Sequence, residues 1–139
     1  MYLCRQKIAL VMKKYWIIAI FALVFTACQE SLEDKCERDS KEYTRKHCPT
    51  AIDDYTIIDS LTFDRATHTI HYYYRLTGVA DEEKAIKEID AVETLKKSLK
   101  NSTSVKTYKD NKYRFAYTYR SEKDPKKILL DVVFTDKDY

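Results

Sequence analysis

Apolar and polar positions alternate in two successive runs near the middle of the chain. The first run covers residues 56–63 and the second covers residues 70–77, with the polar stretch 64–67 between them. Side chains two residues apart lie on the same side of a strand, so Ile70, Tyr72, Tyr74 and Leu76 share one face. Two alternating runs joined by a short polar turn predict a β-hairpin.

The spacing of apolar residues changes after Gly78. They now recur at intervals of three and four, at Ile86, Ile89, Val92, Leu95 and Leu99. Asp81 is suited to cap a helix N-terminus, acidic residues follow it, and lysines collect before residue 101, which complements a helix dipole. The pattern predicts one amphipathic helix over about residues 82–100.

Alternation returns in the last third of the chain. It predicts strands at 105–109, 113–120 and 128–135, separated by polar turns at 110–112 and around Asp124 and Pro125. The element order is β-β-α-β-β-β, and its short connections favour antiparallel neighbours. We therefore expect an α+β fold in which one helix packs on one face of an antiparallel sheet of about five strands. The predicted core face carries five tyrosines: Tyr72, Tyr74, Tyr113, Tyr117 and Tyr119.

The amino-terminal residues have a different composition. Lys13 and Lys14 precede the uncharged run 15–27, which at 13 residues is shorter than the roughly 20 needed to span a bilayer. A positive charge followed by a short apolar run is typical of a signal peptide. Met12 is an alternative start, because the segment that follows it forms a complete signal on its own.

The run ends in the residues Phe25, Thr26, Ala27 and Cys28. This sequence resembles the lipobox of bacterial lipoproteins, with Phe25 where leucine is commoner. The resemblance implies that residues 1–27 are removed and that Cys28 becomes the lipid-bearing first residue. An ordinary signal peptide or an uncleaved anchor is the alternative. The predicted organisation is a signal peptide at 1–27, a lipid-anchored tether at 28–50 and a globular domain at 51–139.

The residues after Cys28 bear on the final location. The residue after Cys28 is Gln29, whereas lipoproteins retained in the inner membrane resemble one another in having aspartate at this position. The resemblance therefore implies transfer to the outer membrane. Glu30, Glu33 and Asp34 form an acidic cluster similar to surface-export tethers of Bacteroidetes lipoproteins, although a solvated spacer explains them equally well. Whether the domain faces the periplasm or the cell surface stays open.

Cys36 and Cys48 are the two cysteines that remain after lipidation of Cys28. Two cysteines in an oxidising envelope usually pair, so a disulfide is expected. Its formation requires residues 35–47 to fold back, because one straight helix would hold the two sulfurs about 18 Å apart. Two thiols beside His47 do not provide four zinc ligands, so we expect no metal site.

Charge and motifs exclude several functions. Residues 1–27 contain four bases and no acid, which leaves 21 bases and 22 acids from Cys28 onward and removes a bulk-charge case for nucleic-acid binding. A single glycine excludes glycine-rich nucleotide loops, and no cofactor is expected.

His68 and His71 are predicted on opposite faces of a strand. Ser60 beside Asp59, with His71 across the hairpin, is a weak candidate for a nucleophile and base.

The face of the sheet opposite the predicted core is the candidate binding surface. It combines aromatic and cationic side chains from two strands: His71, Tyr73, Arg75, Arg114, Thr118 and Arg120. Tyrosine and arginine are enriched where binding energy concentrates, so this face is a candidate for a protein or anionic glycan partner. An ordinary solvated face, with Arg114 or Arg120 paired to Asp131, is the alternative.

Three functional classes follow for the mature domain. The first is a non-catalytic binding module at the outer membrane, and the others are an envelope enzyme of unrecognised type and an inhibitor or immunity protein against an envelope-targeting hydrolase. The residues CPTAIDDYTIIDSL and HYYYRL are similar to small uncharacterised secreted bacterial proteins. That resemblance covers about 40 residues and implies no activity.

Overall fold

A computed structural model of the chain describes residues 30–139. The elements are α1 (Leu32–His47), β1 (Thr50–Ala51), β2 (Thr56–Asp64), β3 (Thr69–Leu76), a 3₁₀ turn (Gly78–Ala80), α2 (Glu83–Glu88), α3 (Ala91–Asn101), α4 (Lys106–Asp110), β4 (Arg114–Ser121) and β5 (Ile128–Phe134). No helix in this described range is long and apolar enough to cross a membrane.

The five strands occupy the sheet in chain order, from β1 at one edge to β5 at the other. Neighbours are antiparallel except β3 and β4, which run parallel with Thr69 opposite Arg114 and Leu76 opposite Ser121. The α+β class is confirmed, and the expectation of an entirely antiparallel sheet is wrong at this pair. Here the chain crosses over through α2, α3 and α4, as parallel neighbours require.

The hydrophobic core lies on one face of the sheet. Phe115 is fully buried at its centre, with Cys36 of α1 and Leu99 of α3 in the same cluster. The tyrosines expected on this face are confirmed there: Tyr113 and Tyr117 belong to the buried cluster, and the other three, Tyr72, Tyr74 and Tyr119, pack against it.

The helix predicted over residues 82–100 is two helices. Asp90 separates α2 from α3 with a left-handed backbone, at φ 42°, and its carboxylate accepts a bond from the Glu93 amide at 3.5 Å. Aspartate tolerates this conformation better than most residues and also caps helices well. The break redirects the chain, so Leu99 is buried while Ile89 remains exposed.

Residues 105–109, predicted as a strand, are mostly in helix α4. The alternation that predicted a strand at these residues is short, and contacts with the core determine that they are helical. Val105 and Tyr108 are three residues apart, which is the spacing of one helix face, and both pack against the core cluster. The fifth strand of the sheet is instead β1, which consists of Thr50 and Ala51.

The segment expected to be a tether contains α1. Thr44 of this helix bonds the backbone of Leu61 in β2, and Leu32–Tyr139 forms one compact unit. The domain boundary expected at residue 50 therefore lies at Leu32. Hydrophobic burial explains the difference, because Cys36 sits in the core at 2% exposure.

Cys36 and Cys48 both have free thiols, so the expected disulfide is not formed in this structure. A continuous helix runs from Leu32 to His47 and keeps them apart. Twelve residues of helix span about 18 Å, whereas bridged cysteines need Cα atoms within about 7 Å. Cys28, the expected lipid attachment residue, lies outside the described residues.

Candidate functional site

The six residues of the predicted binding surface share one face of the sheet, and we call it the open face. The parallel register of β3 and β4 sets His71 opposite Ala116, Tyr73 opposite Thr118 and Arg75 opposite Arg120. All four helices lie on the other face, where their side chains contact the core cluster or line a groove with Tyr119 and Leu130. The six predicted residues are therefore brought together: His71, Tyr73, Arg75, Arg114, Thr118 and Arg120.

A chain of hydrogen bonds crosses the centre of the open face. The Thr118 hydroxyl donates to Asp131 Oδ1 at 2.6 Å and lies 2.7 Å from His71 Nε2. Because its one proton is directed to the carboxylate, the hydroxyl accepts from the Nε2–H of His71. Burial lowers the pKa of His71, which favours the neutral ring that this arrangement uses. The Tyr73 ring stacks on the imidazole, with centroids 3.9 Å apart.

Two of the three arginines of the open face, Arg75 and Arg120, already have protein partners. Arg75 lies 3.0 Å from an Asp59 oxygen and 3.6 Å from a Glu122 oxygen. Arg120 donates to the Pro125 carbonyl at 3.3 Å. These contacts reduce the positive charge available for an anionic glycan. Asp131 bonds Thr118 and is not ion-paired to an arginine within residues 30–139.

The weak catalytic combination is not assembled on this face. Ser60 lies opposite Tyr73, and Thr62 lies opposite His71, because a bulge after Ile58 shifts the register of β2. Thr118, the hydroxyl that does contact His71, is only 3% exposed and its proton is engaged by Asp131. The open face therefore offers hydrogen-bonding and stacking groups rather than an activated nucleophile.

A second site, which the sequence interpretation missed, is a groove of about 560 Å³ on the helix side. We call it the apolar groove. Its walls come from α2, α3, the 3₁₀ turn, the residues before β2 and the ends of the strands: Asp53, Asp54, Tyr55, Thr56, Leu76, Val79, Ala80, Ala85, Ile86, Ile89, Ala91, Thr94, Leu95, Tyr119 and Leu130.

A glycine turn and two hydrogen bonds position Tyr55 at the outer wall of the apolar groove. Gly78 has φ +54°, and an added Cβ would lie 3.3 Å from the Tyr55 ring, so both conformation and space favour glycine. The Tyr55 carbonyl accepts from the Thr77 amide at 2.9 Å, and the Tyr55 amide donates to Asp53 at 2.9 Å. These bonds place the Tyr55 ring beside the turn that carries Val79.

Apolar side chains at the groove remain open to solvent. Val79 is 72% exposed and Ile89 is 62% exposed. Asp53 and Asp54 add negative charge to the rim, and neither forms an ion pair with another residue of the described range. A signal for this site was present, since Ile89 lay on the predicted apolar stripe. The structure shows that the helix breaks at Asp90, and because of this break the Ile89 side chain does not reach the core.

Stacked tyrosines lie beneath the helices and lead to the groove. Tyr74 stacks on Tyr119 with ring centroids 4.8 Å apart, and Tyr72 stacks on Tyr117 at 5.1 Å. Burial raises the pKa of Tyr72 and that of Tyr119 to about 12 and also raises the pKa of Tyr74. These phenols are neutral at physiological pH, so Tyr119, the one of these four rings that lines the groove, adds an aromatic and uncharged surface to it.

The described residues contain no cluster of three or more side chains able to hold a metal ion. Cys36 lines a cavity of about 340 Å³ between α1 and α4. Burial raises the pKa of its thiol to about 11, which disfavours the reactive thiolate. Cys36 therefore supplies no activated nucleophile to this cavity.

A known protein family matches the part of the chain that contains α1 and most of the sheet. A family model for a domain of unknown function, DUF8479, matches residues 31–130. The chain belongs to this family. No curated protein matches the sequence. The DUF8479 match begins just before α1 and ends inside β5, which supports treating α1 as part of the domain.

Solved structures with a similar fold include two bacterial proteins. A predicted secreted protein of Pseudomonas aeruginosa is 16% identical with a TM-score of 0.63, over 78% of this chain and 97% of that chain. The type II secretion system pilotin AspS of Vibrio cholerae is 12% identical with a TM-score of 0.58, over 78% of this chain and 92% of that chain. At these identities the similarity shows the fold.

Proposed function

We propose that this protein is a lipoprotein anchored to the outer membrane through Cys28, and that its domain binds a protein partner in the apolar groove. The lipobox-like residues 25–28 support the anchor. The fold, similar to that of a secretion pilotin and a predicted secreted protein, supports a place in the cell envelope and a non-catalytic role.

The observation that carries the partner site is the exposure of Val79 and Ile89 at the mouth of an apolar groove. Large apolar side chains grouped around a concavity are typical of interaction sites. Most of the groove wall is apolar, whereas Asp53 and Asp54 lie at its rim. A partner segment with apolar side chains and a nearby basic residue matches both features.

The position of the groove also fits an anchored protein. Residues 29–31 separate Cys28 from Leu32, and such a connection extends at most about 14 Å. The first turn of α1 lies at the start of β3, where Glu33 contacts His68 at 2.7 Å. Leu76, at the far end of β3, lines the groove, and a strand of this length spans about 25 Å. The groove therefore lies at the end of the domain away from Leu32, the first residue of α1.

The open face is a weaker site for a partner. Two of its arginines, Arg75 and Arg120, have protein contacts, and its central hydroxyl, that of Thr118, is buried. The apolar groove instead exposes side chains that gain free energy when they leave water. The same comparison disfavours an anionic glycan, which needs available cationic groups.

Site-specific photocrosslinking in cells tests this function with the full chain. A photoreactive phenylalanine is placed at Val79 in the apolar groove, and separately at Tyr73 on the open face and at Lys97 on the exposed side of α3. We expect a discrete protein adduct from Val79 and none from the other two positions. Intact mass of the same membrane-extracted protein reports the lipid on Cys28 independently.

A pair of substitutions on the Val79 crosslinking protein makes the test specific. Ile89→Asp should abolish the adduct, because it places a charge in the groove. Val92→Asp is the matched control, since Val92 is exposed at 41% but does not line the groove. An adduct from Tyr73 alone would move the site to the open face. An adduct unaffected by Ile89→Asp, or none at all, would contradict the groove as the binding site.

A further inference from the structure

A cleft rich in lysine lies where α3 is followed by α4, and we call it the lysine cleft. Its volume is about 570 Å³. Four lysines and two aspartates supply its charged groups: Lys100, Lys106, Lys109, Lys112, Asp110 and Asp136. Hydroxyl and amide groups of neighbouring residues complete the lining. The cleft is therefore cationic and able to donate hydrogen bonds to an anion.

The aspartates do not use up this positive charge. Lys106 pairs with Asp110 at 2.6 Å, and Lys112 lies 3.9 Å from Asp136, but all four side chains are exposed, Asp136 least at 43%. Exposed pairs of this kind contribute little and exchange readily with other partners. Lys100 has no ion pair within the described range.

Lys109 differs because its ammonium has a fixed position. It donates to the carbonyl oxygens of Leu99 and Lys100 at 2.8 Å each. Those carbonyls belong to the last turn of α3, where a cation complements the helix dipole. One cation is thus held in place while three exposed lysines line the same cleft, an arrangement suited to a surface carrying several phosphates.

The lysine cleft and the first turns of α1 are both next to α4. Leu32 and Cys36 of α1 line one cavity together with Val105 and Tyr108 at α4. Lys106 and Lys109 belong to that same short helix. Leu32 is also the residue that continues the chain from the proposed anchor. The cationic cleft and the point where the anchored tether enters the domain are therefore at the same end.

We infer that the lysine cleft binds the phosphate groups of anionic phospholipids in the membrane that holds the Cys28 lipid. This inference rests on the proposed function for its geometry. Lysines close to an anionic surface strengthen membrane binding by about fivefold each. A second attachment of this kind also fixes orientation, so it holds the apolar groove away from the bilayer.

Lysine acylation of the mature lipoprotein in vesicles tests the inference. The protein is reconstituted in phosphatidylcholine vesicles with or without phosphatidylglycerol and treated with a membrane-impermeant acylating reagent. Modification at Lys100, Lys106 and Lys112 should slow severalfold in the anionic vesicles, and added salt should remove the protection. Lysines at the groove end provide the internal control: Lys84, Lys87 and Lys126. Equal rates in both vesicles would overturn the proposal.

Variants and a soluble anion separate the alternatives. Replacing Lys100, Lys106 and Lys112 by Gln should make Lys109 react at the same rate in anionic and in phosphatidylcholine vesicles, whereas Lys84→Gln with Lys87→Gln and Lys126→Gln should leave it slower in the anionic vesicles. If inorganic phosphate slowed the reaction of these lysines equally on phosphatidylcholine vesicles, the cleft would be a site for a free anion. That result would overturn the proposal of membrane binding. Intact mass is measured first. A protein without lipid would contradict only the proposed anchor. The rates at which its lysines react with the reagent, with and without added anionic vesicles, would still show whether the cleft binds anionic phospholipid.

Discussion

The Thr44 hydroxyl of α1 bonds both backbone groups of Leu61 in β2. It accepts from the Leu61 amide at 2.8 Å and donates to the Leu61 carbonyl oxygen at 2.7 Å. A neighbouring strand would satisfy the same two groups, so Thr44 takes its place beyond the end of the two-residue strand β1. Unpaired strand edges invite association with other chains, and this contact closes part of one edge.

Thr44→Val should therefore lower the free energy of unfolding by about 1–3 kcal/mol, because two partly buried backbone groups lose their partner while the side-chain shape is retained. Thr44→Ser keeps the hydroxyl and should be closer to the parent protein. Chemical denaturation of the two variants measures the difference. Equal stability of Val and Ser variants would show that water replaces the hydroxyl without cost.

Two apolar residues of the predicted helix stripe should respond in opposite ways to truncation. Leu99 is 3% exposed in the core, so Leu99→Ala should cost about 2–5 kcal/mol through lost burial and a cavity. Ile89 is exposed in the apolar groove, so Ile89→Ala should change stability by less than about 0.5 kcal/mol. Thermal or chemical unfolding of both variants tests this, and similar losses at both positions would mean that α2 and α3 form one continuous packed helix.

Stability should fall at alkaline pH because of the buried tyrosines. Burial raises the pKa of Tyr72 and of Tyr119 from an ordinary value of 10.0 to about 12. The folded state then holds these protons more tightly, so their contribution is complete below about pH 10 and is lost as the pH rises towards 12. Denaturation midpoints measured across this range should decrease less steeply after Tyr72→Phe and Tyr119→Phe together. An unchanged slope would exclude these two phenols as the cause.

Much of the fold follows from side-chain alternation. The β2–β3 hairpin and the strands β4 and β5 were predicted, because one buried face imposes a period of two on each. The parallel pairing of β3 with β4 was missed for a specific reason. Residues 105–109 were interpreted as a strand, and once they are helical the chain from Leu76 to Arg114 becomes a crossover, which makes the flanking strands parallel.

The candidate site was less accessible to sequence reasoning. Register places His71, Tyr73 and Arg75 on one face, and alternation was enough to predict that. The apolar groove depends instead on which residues of an apolar stripe fail to reach the core. Asp90 decides this by turning the chain between two short helices, and an aspartate within a helical pattern does not by itself reveal such a turn.

The mature protein should carry lipid on Cys28, since the resemblance to a lipobox assigns that residue as the attachment point. Intact mass of protein extracted from membranes should equal residues 28–139 plus two or three acyl chains. Cys28→Ala should leave an unlipidated precursor that retains residues 1–27. A wild-type mass without lipid, or a mature chain that begins at another residue, would contradict the prediction.

The thiols of Cys36 and Cys48 provide a direct test of α1. Both are free in the structure, so the unfolded mature protein should take up two alkyl groups without reductant, and Cys36→Ala should take up one. In the folded protein Cys48 should react first, because Cys36 is buried and burial raises its pKa to about 11. Mass spectrometry after timed alkylation follows both sites. Failure of both to react in denaturant would indicate a disulfide, and the helix from Leu32 to His47 would then have to be broken.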